Sequence, residues 1–256
     1  MSSQPILQTK GVSKNFGAVQ ALSNVDFEVH PGEVMALVGD NGAGKSTLIK
    51  GIAGIYPFNG GQVYFEGKPV TINSPKDSAA LGIEVVYQDL ALADNLDVVA
   101  NMFLGREQTL PGWRLDEPSM EQAAIETLTS LSVTTLRSVR QAVAGLSGGQ
   151  RQAIAVAKAV MWNSKVVILD EPTAALGVAQ TRQVLDLTRR LADRGLAVVL
   201  ISHNLHDIFE VADRITVLRL GQMVAMYNTK ETNQQEVVHA ITAGQLKEVP
   251  GMTKHE

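Results

Sequence analysis

Apolar residues occur in two arrangements along this chain, as short continuous runs and as positions spaced by the period of a helix. The runs Val34–Val38, Val166–Leu169 and Leu196–Ile201 are typical of buried strands. The run Ile6–Thr9 and the period-two alternation of Val25–Val29 predict an antiparallel β edge near the N-terminal end.

Helical spacing follows most of the strand-like runs, which is the alternation expected of an α/β fold. Helices are predicted over 48–53, 74–81, 96–103, 117–131, 151–161, 178–191 and 234–241, and further strands over 61–67, 83–88, 214–219 and 222–226. β-type alternation is scarce between 89 and 162, so we predict a helical subdomain there, inserted into an α/β core formed by 1–88 and 163–249. The linker 105–118 should be rich in turns, and residues 250–256 should fray.

Composition narrows the class of protein. A chain of 256 residues that is 45% hydrophobic can bury one large core, so we expect a single domain over 1–256. The net charge is −4 and basic residues are scattered, which argues against a nucleic-acid partner. The absence of cysteine excludes disulfides and thiol catalysis, and no apolar run approaches the roughly 20 residues of a spanning helix. With no signal peptide recognisable at Met1, a cytoplasmic location is expected.

One segment fits the phosphate-binding pattern GxxxxGK(S/T) at every required position. Its residues are Gly39, Asp40, Asn41, Gly42, Ala43, Gly44, Lys45, Ser46 and Thr47. A strand-like run precedes it and a helical one follows, as this motif requires. Backbone N–H groups would bind phosphate oxygens, Lys45 would bridge the terminal phosphates, and Ser46 could ligate Mg²⁺. The alternative is a glycine-rich turn with a solvated lysine.

Three further strand ends carry polar residues suited to the same chemistry. Asp170 and Glu171 end one buried strand, where Asp170 could hold Mg²⁺ and Glu171 could polarise an attacking water. Gln88 and His203 end two others. Alone, each residue could be an ordinary polar strand end, but carboxyl ends of parallel strands meet at one edge of a sheet.

Two other segments are candidates for contact with a nucleotide. Phe16, beside Gly17, could stack on a base, although a lone Phe is more often core. Ser147, Gly148, Gly149 and Gln150 precede an alanine-rich helix, where Ser147 and Gln150 fit a capping box. Because adjacent glycines are unfavourable at a helix start, we favour a second anion site there.

The chain resembles the ATP-binding subunits of ABC transporters. The resemblance is carried, in chain order, by Gly39–Thr47, Gln88, Leu146–Gln150, Val166–Pro172 and His203. The resemblance covers nearly the whole chain, and Leu-Ser-Gly-Gly-Gln is its most specific motif. It implies a P-loop NTPase core with a mixed sheet, and a helical subdomain that carries this signature motif.

The resemblance also implies residue roles. Phe16 would stack on adenine, Gln88 would sense both Mg²⁺ and the membrane subunit, Glu171 would be the catalytic base, and His203 would contact the γ-phosphate. One position departs from the family: where an aspartate usually closes the loop after the glutamate, this chain has Gly177. The usual cross-subunit contact of that loop is therefore not carried over to this chain.

The expected position of Ser147 predicts a dimer. The helix after the signature has about 13 residues and spans roughly 20 Å, and its far end leads to the strand with Asp170. Ser147 should therefore lie away from the phosphate loop of its own chain. If both segments act on one nucleotide, two chains must meet head to tail around two ATP molecules.

Finer features in 102–107 and 171–181 resemble ATPases of bacterial ribose- and fructose-type importers. We therefore expect an ATPase that powers monosaccharide import at the inner face of the membrane, with separate permease subunits and, indirectly, a solute-binding protein. The segment 88–105, with Met102, Phe103 and Leu104, is expected to receive a permease helix unless these side chains are core. The alternative function is a soluble ABC-type ATPase that acts as a mechanical switch without transport.

Overall fold

The computed structural model describes residues 4–133 and 135–244. In these ranges the strands are β1 (Leu7–Phe16), β2 (Val19–Val29), β3 (Val34–Val38), β4 (Gly60–Phe65), β5 (Lys68–Val70), β6 (Ile83–Val86), β7 (Thr109–Leu110), β8 (Arg114–Leu115), β9 (Val166–Asp170), β10 (Ala197–Ile201), β11 (Arg214–Arg219) and β12 (Gln222–Asn228). The helices are α1 (Lys45–Ile52), α2 (Pro75–Ala80), α3 (Val98–Phe103), α4 (Glu117–Ser130), α5 (Gly148–Val160), α6 (Val178–Asp193), α7 (Leu205–Val211) and α8 (Gln234–Ala243). The predicted fraying of 250–256 concerns residues outside the described ranges.

A mixed six-stranded sheet forms the centre, in the order β12-β11-β3-β10-β9-β6. Neighbouring strands are parallel except for the antiparallel pair β11 and β12. The middle strands β3, β10 and β9 are buried along their length except at Asp170, which explains their continuous apolar sequences. Their carboxyl ends share one edge, and the predicted acidic residues collect there.

Alternate side chains of the central strands enter two different cores. Val34, Ala36 and Val38 pack in a core shared with residues of α3 to α8. Met35 and Leu37 pack on the opposite side with α1 and the antiparallel strands. The phosphate-loop strand is therefore held from both faces, which gives the loop at its end a rigid base.

The predicted antiparallel edge is confirmed as a sheet of its own, with the order β2-β1-β4-β5. Its first two strands are longer than the predicted 6–9 and 25–29, because β1 continues to Phe16 and turns directly into β2. Register shifts interrupt the pairing, and Gly11 adopts φ 60° at one of them. Such bulges break the period-two alternation, so the sequence revealed only the regular ends of these strands.

Helices α3, α4 and α5 lie between β6 and β9 in the sequence, and the three helices pack against one another. The linker predicted to be turn-rich contains a short hairpin, β7 and β8, that turns at Gly112 and Trp113. Within the described residues, no helix combines the length and the apolar character needed to cross a membrane.

Within the segment 88–105, predicted to receive a permease helix, two of the three apolar side chains named from the sequence are core. Met102 and Phe103 are 0% and 1% exposed, and the Phe103 ring packs edge-on against Trp162 at 5.6 Å between centroids. Leu104, at 45% exposure, is the member of the trio that reaches the surface. The alternative left open from the sequence, that these side chains are core, therefore applies to Met102 and Phe103, because α3 is short and its apolar face seats it on α5.

Candidate functional site

The phosphate-binding segment forms a loop between β3 and α1. Gly39 and Gly44 adopt φ of 148° and 105°, which L side chains rarely adopt. A Cβ at Gly39 would lie 2.2 Å from the carbonyl oxygen of Leu218, and one at Gly44 would lie 2.8 Å from Leu22 Cδ2. These glycines are therefore required by the close packing of the loop. No described side chain caps α1, so its first N–H groups remain available to an anion.

Lys45 lies over this loop. Its Nζ donates to the carbonyl oxygens of Gly39 at 2.5 Å and Asp40 at 3.0 Å. Burial lowers the pKa of Lys45, while the carboxylates of Glu171, Asp40 and Asp170 oppose that shift. The ammonium group is thus held beside the free helix start, where phosphate charge would be neutralised.

The same cleft contains the end of β9. Burial and the neighbouring Glu171 carboxylate raise the pKa of Asp170, and Lys45 partly offsets this. Glu171 follows with φ 51°, a left-handed conformation that is unusual for a residue with a side chain. The cleft is lined by Ala21, Asn41, Gly42, Ala43, Gly44, Lys45, Ser46, Thr47, Gln88, Asp170, Glu171 and Ile201. The structure therefore brings together the phosphate loop, Gln88 and both carboxylates, as expected from the sequence.

His203 joins this group from the end of β10. Its Nδ1 lies 2.7 Å from Glu171 Oε2, and its side chain is 78% exposed. One imidazole nitrogen therefore engages the predicted base, while the rest of the ring faces solvent above the cleft. Asp40 and Asn41, in the phosphate loop, line a neighbouring hollow with His203 and Ile241 of α8.

Asp207, which was not predicted from the sequence, connects the loop after β9 with the loop after β10. Asp207 in α7 is 4% exposed; its Oδ2 accepts from Thr173 Oγ1 and its Oδ1 from Asn204 Nδ2, both at 2.9 Å. Thr173 lies two residues after Glu171, and Asn204 directly follows His203. Asp207 therefore holds the two polar strand ends in a fixed relation. Asn204 caps α7, so an Asn with an Asp three positions later was the available signal.

Phe16 ends β1 and is 46% exposed. Its ring packs edge-on against Tyr56 at 5.2 Å between centroids, and Lys14 Nζ lies 5.3 Å from its centroid. The ring is thus half-buried, which leaves one part free for stacking. The expectation of a simple core Phe does not describe this position.

The signature segment lies elsewhere. Among the described residues that line the phosphate cleft, none comes from 147–150. Ser147 Oγ accepts from the N–H of Gln150, and Gln150 Oε1 accepts from the N–H of Ser147, which closes the capping box considered from the sequence. Ser147 and Gly148 are nevertheless exposed at the helix start.

The two signature glycines have a packing role. A Cβ at Gly148 would lie 2.8 Å from Leu176 Cδ2, and one at Gly149 would lie 3.1 Å from Gln180 Cβ. The segment after Glu171 and the start of α6 therefore pack directly on the signature. Gly177, where the family usually has aspartate, is the N-cap residue of α6 and carries no side chain to project from this loop.

Known proteins place these features in a family. A family model described as ABC transporter matches residues 22–174. The chain is 47% identical over 256 residues to a fructose import ATP-binding protein of Rhizobium meliloti, covering 98% of both chains. It is 46% identical to a xylose/arabinose import ATP-binding protein of Sulfolobus acidocaldarius, covering 95% of this chain and 96% of the relative. A ribose import ATP-binding protein of Caldanaerobacter subterraneus is 38% identical, with 96% of this chain covering 49% of that longer protein.

Solved structures agree on the fold. A nucleotide-free ATP-binding cassette from an ABC transporter superposes with a TM-score of 0.81 at 27% identity, covering 94% of this chain and 96% of that one. The ADP conformation of an ATP-binding cassette of an ABC transporter gives a TM-score of 0.80 at 26% identity, covering 94% of this chain and 96% of that one. From the family model and the full-length relatives, the chain belongs to the ABC transporter family, as one of its ATP-binding, ATP-hydrolysing subunits.

Proposed function

We propose that this ATPase powers the import of a monosaccharide through separate membrane permease subunits. The observation that carries the proposal is identity of 46–47% over at least 95% of the chain to two sugar import ATP-binding proteins. The phosphate cleft is lined by Lys45, Asp170 and Glu171 together, which supports active hydrolysis. The sugar would reach the permease from a solute-binding protein, and this subunit would work at the cytoplasmic face of the membrane.

In this proposal, Glu171 accepts a proton from the water that attacks the γ-phosphate, and His203 orients Glu171 and contacts the γ-phosphate. The 2.7 Å contact between His203 Nδ1 and Glu171 Oε2 supports their joint action. Lys45 and the loop N–H groups neutralise phosphate charge, and Phe16 stacks on adenine. Each role is a positioning or charge effect, which is how phosphoryl transfer is generally catalysed.

The residues also suit Mg²⁺. The Ser46 hydroxyl, the Gln88 amide oxygen and the Asp170 carboxylate are hard oxygen ligands, and all three residues line one cleft. Burial raises the pKa of Asp170, which means that the charged carboxylate is unfavourable in the cleft. A cation bound beside Asp170 would neutralise this charge, so the environment of Asp170 favours cation binding. When bound, Mg²⁺ would shield the phosphate oxygens. Across the described residues, no cluster of three or more His, Cys, Asp or Glu offers an all-protein metal site, so phosphate would complete the coordination.

We propose that the active unit is a head-to-tail dimer in which Ser147–Gln150 of each chain completes the site of the other. Support comes from the exposed start of α5 and its absence from the described lining of the phosphate cleft. Contact between Gly148 and Leu176 would link the signature to the loop after Glu171. Residues 89–162 would then act as a helical subdomain that carries the signature towards the partner.

The permease contact is proposed at a groove between β6, the segment after it and α5. Leu90, Leu104 and Ala155 supply apolar lining, and Arg106 and Lys158 lie at the same groove. Arg106 bonds Glu84 at 2.9 Å and stacks over Trp162 at 5.2 Å. Gln88 directly precedes two lining residues, Asp89 and Leu90, so a helix seated here could respond to the phosphate site.

Co-purification from native membranes tests the proposal. Leu104→Asp should abolish recovery of permease subunits and leave the ATPase rate and melting temperature of the isolated chain unchanged, because Leu104 is already 45% exposed. Ile125→Asp on α4, at 41% exposure, is the matched control and should retain the permease. Failure of wild-type chains to recover any hydrophobic subunit would favour the soluble-switch alternative.

A further inference from the structure

The loop between α1 and β4 binds the strand end that presents Phe16. Asn59 donates its N–H to the carbonyl oxygen of Ser13 and accepts from the N–H of Asn15 with its side chain, both at 2.8 Å. Lys14 Nζ donates to the carbonyl oxygen of Pro57 at 2.7 Å. The loop that follows the phosphate-binding helix is therefore fastened along the last four residues of β1.

Aromatic and cationic groups fill the space beneath Phe16. Tyr56, from the same loop, packs edge-on against Phe16 with an interplanar angle of 86°. Lys14 is only 8% exposed, and its Nζ lies 4.7 Å from the Tyr56 centroid and 5.3 Å from the Phe16 centroid. A cation in contact with both rings holds them together through their quadrupoles.

Tyr56 also reaches the phosphate loop. Its hydroxyl donates to the carbonyl oxygen of Thr47 at 3.1 Å, and Thr47 is the last residue of the phosphate-binding motif. One side chain thus contacts the exposed ring at one end and the first turn of α1 at the other.

We propose that Tyr56, with Lys14, is a positioning residue that sets the distance between the base platform and the phosphate cradle. This inference rests on the proposed stacking of adenine on Phe16. Because Tyr56 acts through Phe16, its removal should weaken recognition of the base and spare recognition of phosphate. A purely structural role would weaken both.

Titration calorimetry with ADP and with inorganic pyrophosphate separates the two contributions. Tyr56→Leu should weaken ADP binding by about five- to tenfold, the order of a lost aromatic pair, and leave pyrophosphate affinity within about twofold. Tyr56→Phe keeps the ring and removes the bond to Thr47, so its effect should be intermediate. Lys14→Met should resemble Tyr56→Leu.

Tyr64→Leu is the matched control, because it removes another pair of a lysine and a tyrosine ring, in which Lys10 Nζ lies 5.2 Å from the ring centroid. This variant should change neither the ADP affinity nor the pyrophosphate affinity.

A double-mutant cycle tests the route of the effect. In a Phe16→Ala background, Tyr56→Leu should cause no further loss of ADP affinity, since the ring that it positions is gone. An equal loss of ADP and pyrophosphate affinity, or full additivity in the cycle, overturns the inference. If Phe16→Ala weakens ADP binding and Tyr56→Leu does not, only the positioning role fails. If neither does, base stacking on Phe16 in the proposed function fails as well.

Discussion

Helices α1 and α5 both begin at glycine-rich motifs, but the surroundings of the two helix starts are opposite. α1 starts after Gly44 without a cap from any described side chain, and Lys45 and Asp170 line the cleft in front of it. α5 starts after Ser147, where the side chains of Ser147 and Gln150 satisfy each other's backbone N–H groups. The α1 start is therefore surrounded by side chains that could bind phosphate and take part in hydrolysis. The α5 start is exposed to solvent at Ser147 and Gly148.

A helix start therefore becomes a reaction site only through the groups that the rest of the fold places around it. β9 and β10 deliver Asp170, Glu171 and His203 to the same edge as the phosphate loop. Among the described residues that line this cleft, none belongs to α5 or to the signature segment 147–150. We therefore propose a division of roles between the two helix starts. The α1 start and its cleft bind and hydrolyse the nucleotide of their own chain, and the α5 start completes the site of a second chain.

The largest effect should come from removing the base on the α1 side. Glu171→Gln keeps the size and the hydrogen bonds of the side chain, but an amide cannot take a proton from water. We expect kcat for ATP to fall by about 10²- to 10⁴-fold with ATP affinity retained. The variant should accumulate as an ATP-bound dimer, seen as a doubled mass by light scattering. Turnover within a few fold of wild type would remove Glu171 from the role of base.

Lys45→Ala should act on binding itself. The ammonium group is held beside the loop by two carbonyl oxygens and faces where phosphate charge would lie. Loss of a charge-assisted contact should weaken ATP binding by about 10- to 100-fold. Equilibrium titration with a fluorescent ATP analogue measures this directly. Unchanged affinity would mean that the backbone cradle alone holds the phosphates.

At the α5 start, Ser147→Ala should have two separable effects. Loss of the cap should cost about 1 kcal/mol, or about 2–4 °C in melting temperature. Ser74→Ala is the matched control, since Ser74 caps α2 with the same reciprocal bonds. Both variants should lose similar stability, but only Ser147→Ala should lose ATP hydrolysis, while ADP affinity stays at the wild-type value. Equal hydrolysis in the two variants would make Ser147 a cap and nothing more.

The smallest effect concerns the charge of Asp170. Its pKa is raised in the folded protein, first by burial and then by Glu171. A carboxyl with a raised folded pKa stabilises the fold below its unfolded pKa, and this contribution is lost as pH rises through the folded value. Without nucleotide, Asp170→Asn should therefore raise the melting temperature at neutral pH, and the gain should vanish in acid. A gain that is equal at all pH values would show that the charge is not responsible.

The sequence predicted the α1 side well because its determinants are local. Continuous apolar strands, a glycine motif and polar strand ends are each visible within a few residues, and parallel topology brings the ends together. The contacts that were missed join distant parts of the chain. Asp207 to Thr173 spans 34 residues, and Lys14 to Pro57 spans 43. The bulges of β1 and the burial of Phe103 also depend on tertiary packing, which no local pattern reports.

Mixing two inactive variants tests the division most directly. Ser147→Arg has an intact phosphate loop and a blocked signature, and Lys45→Ala has the reverse, so each should hydrolyse little ATP alone. If the signature acts on a second chain, an equimolar mixture forms heterodimers with one complete site. We predict that the ATPase rate of the mixture exceeds the sum of the separate rates. A mixture no faster than that sum, or a Ser147→Arg chain as active as wild type, would contradict the head-to-tail site.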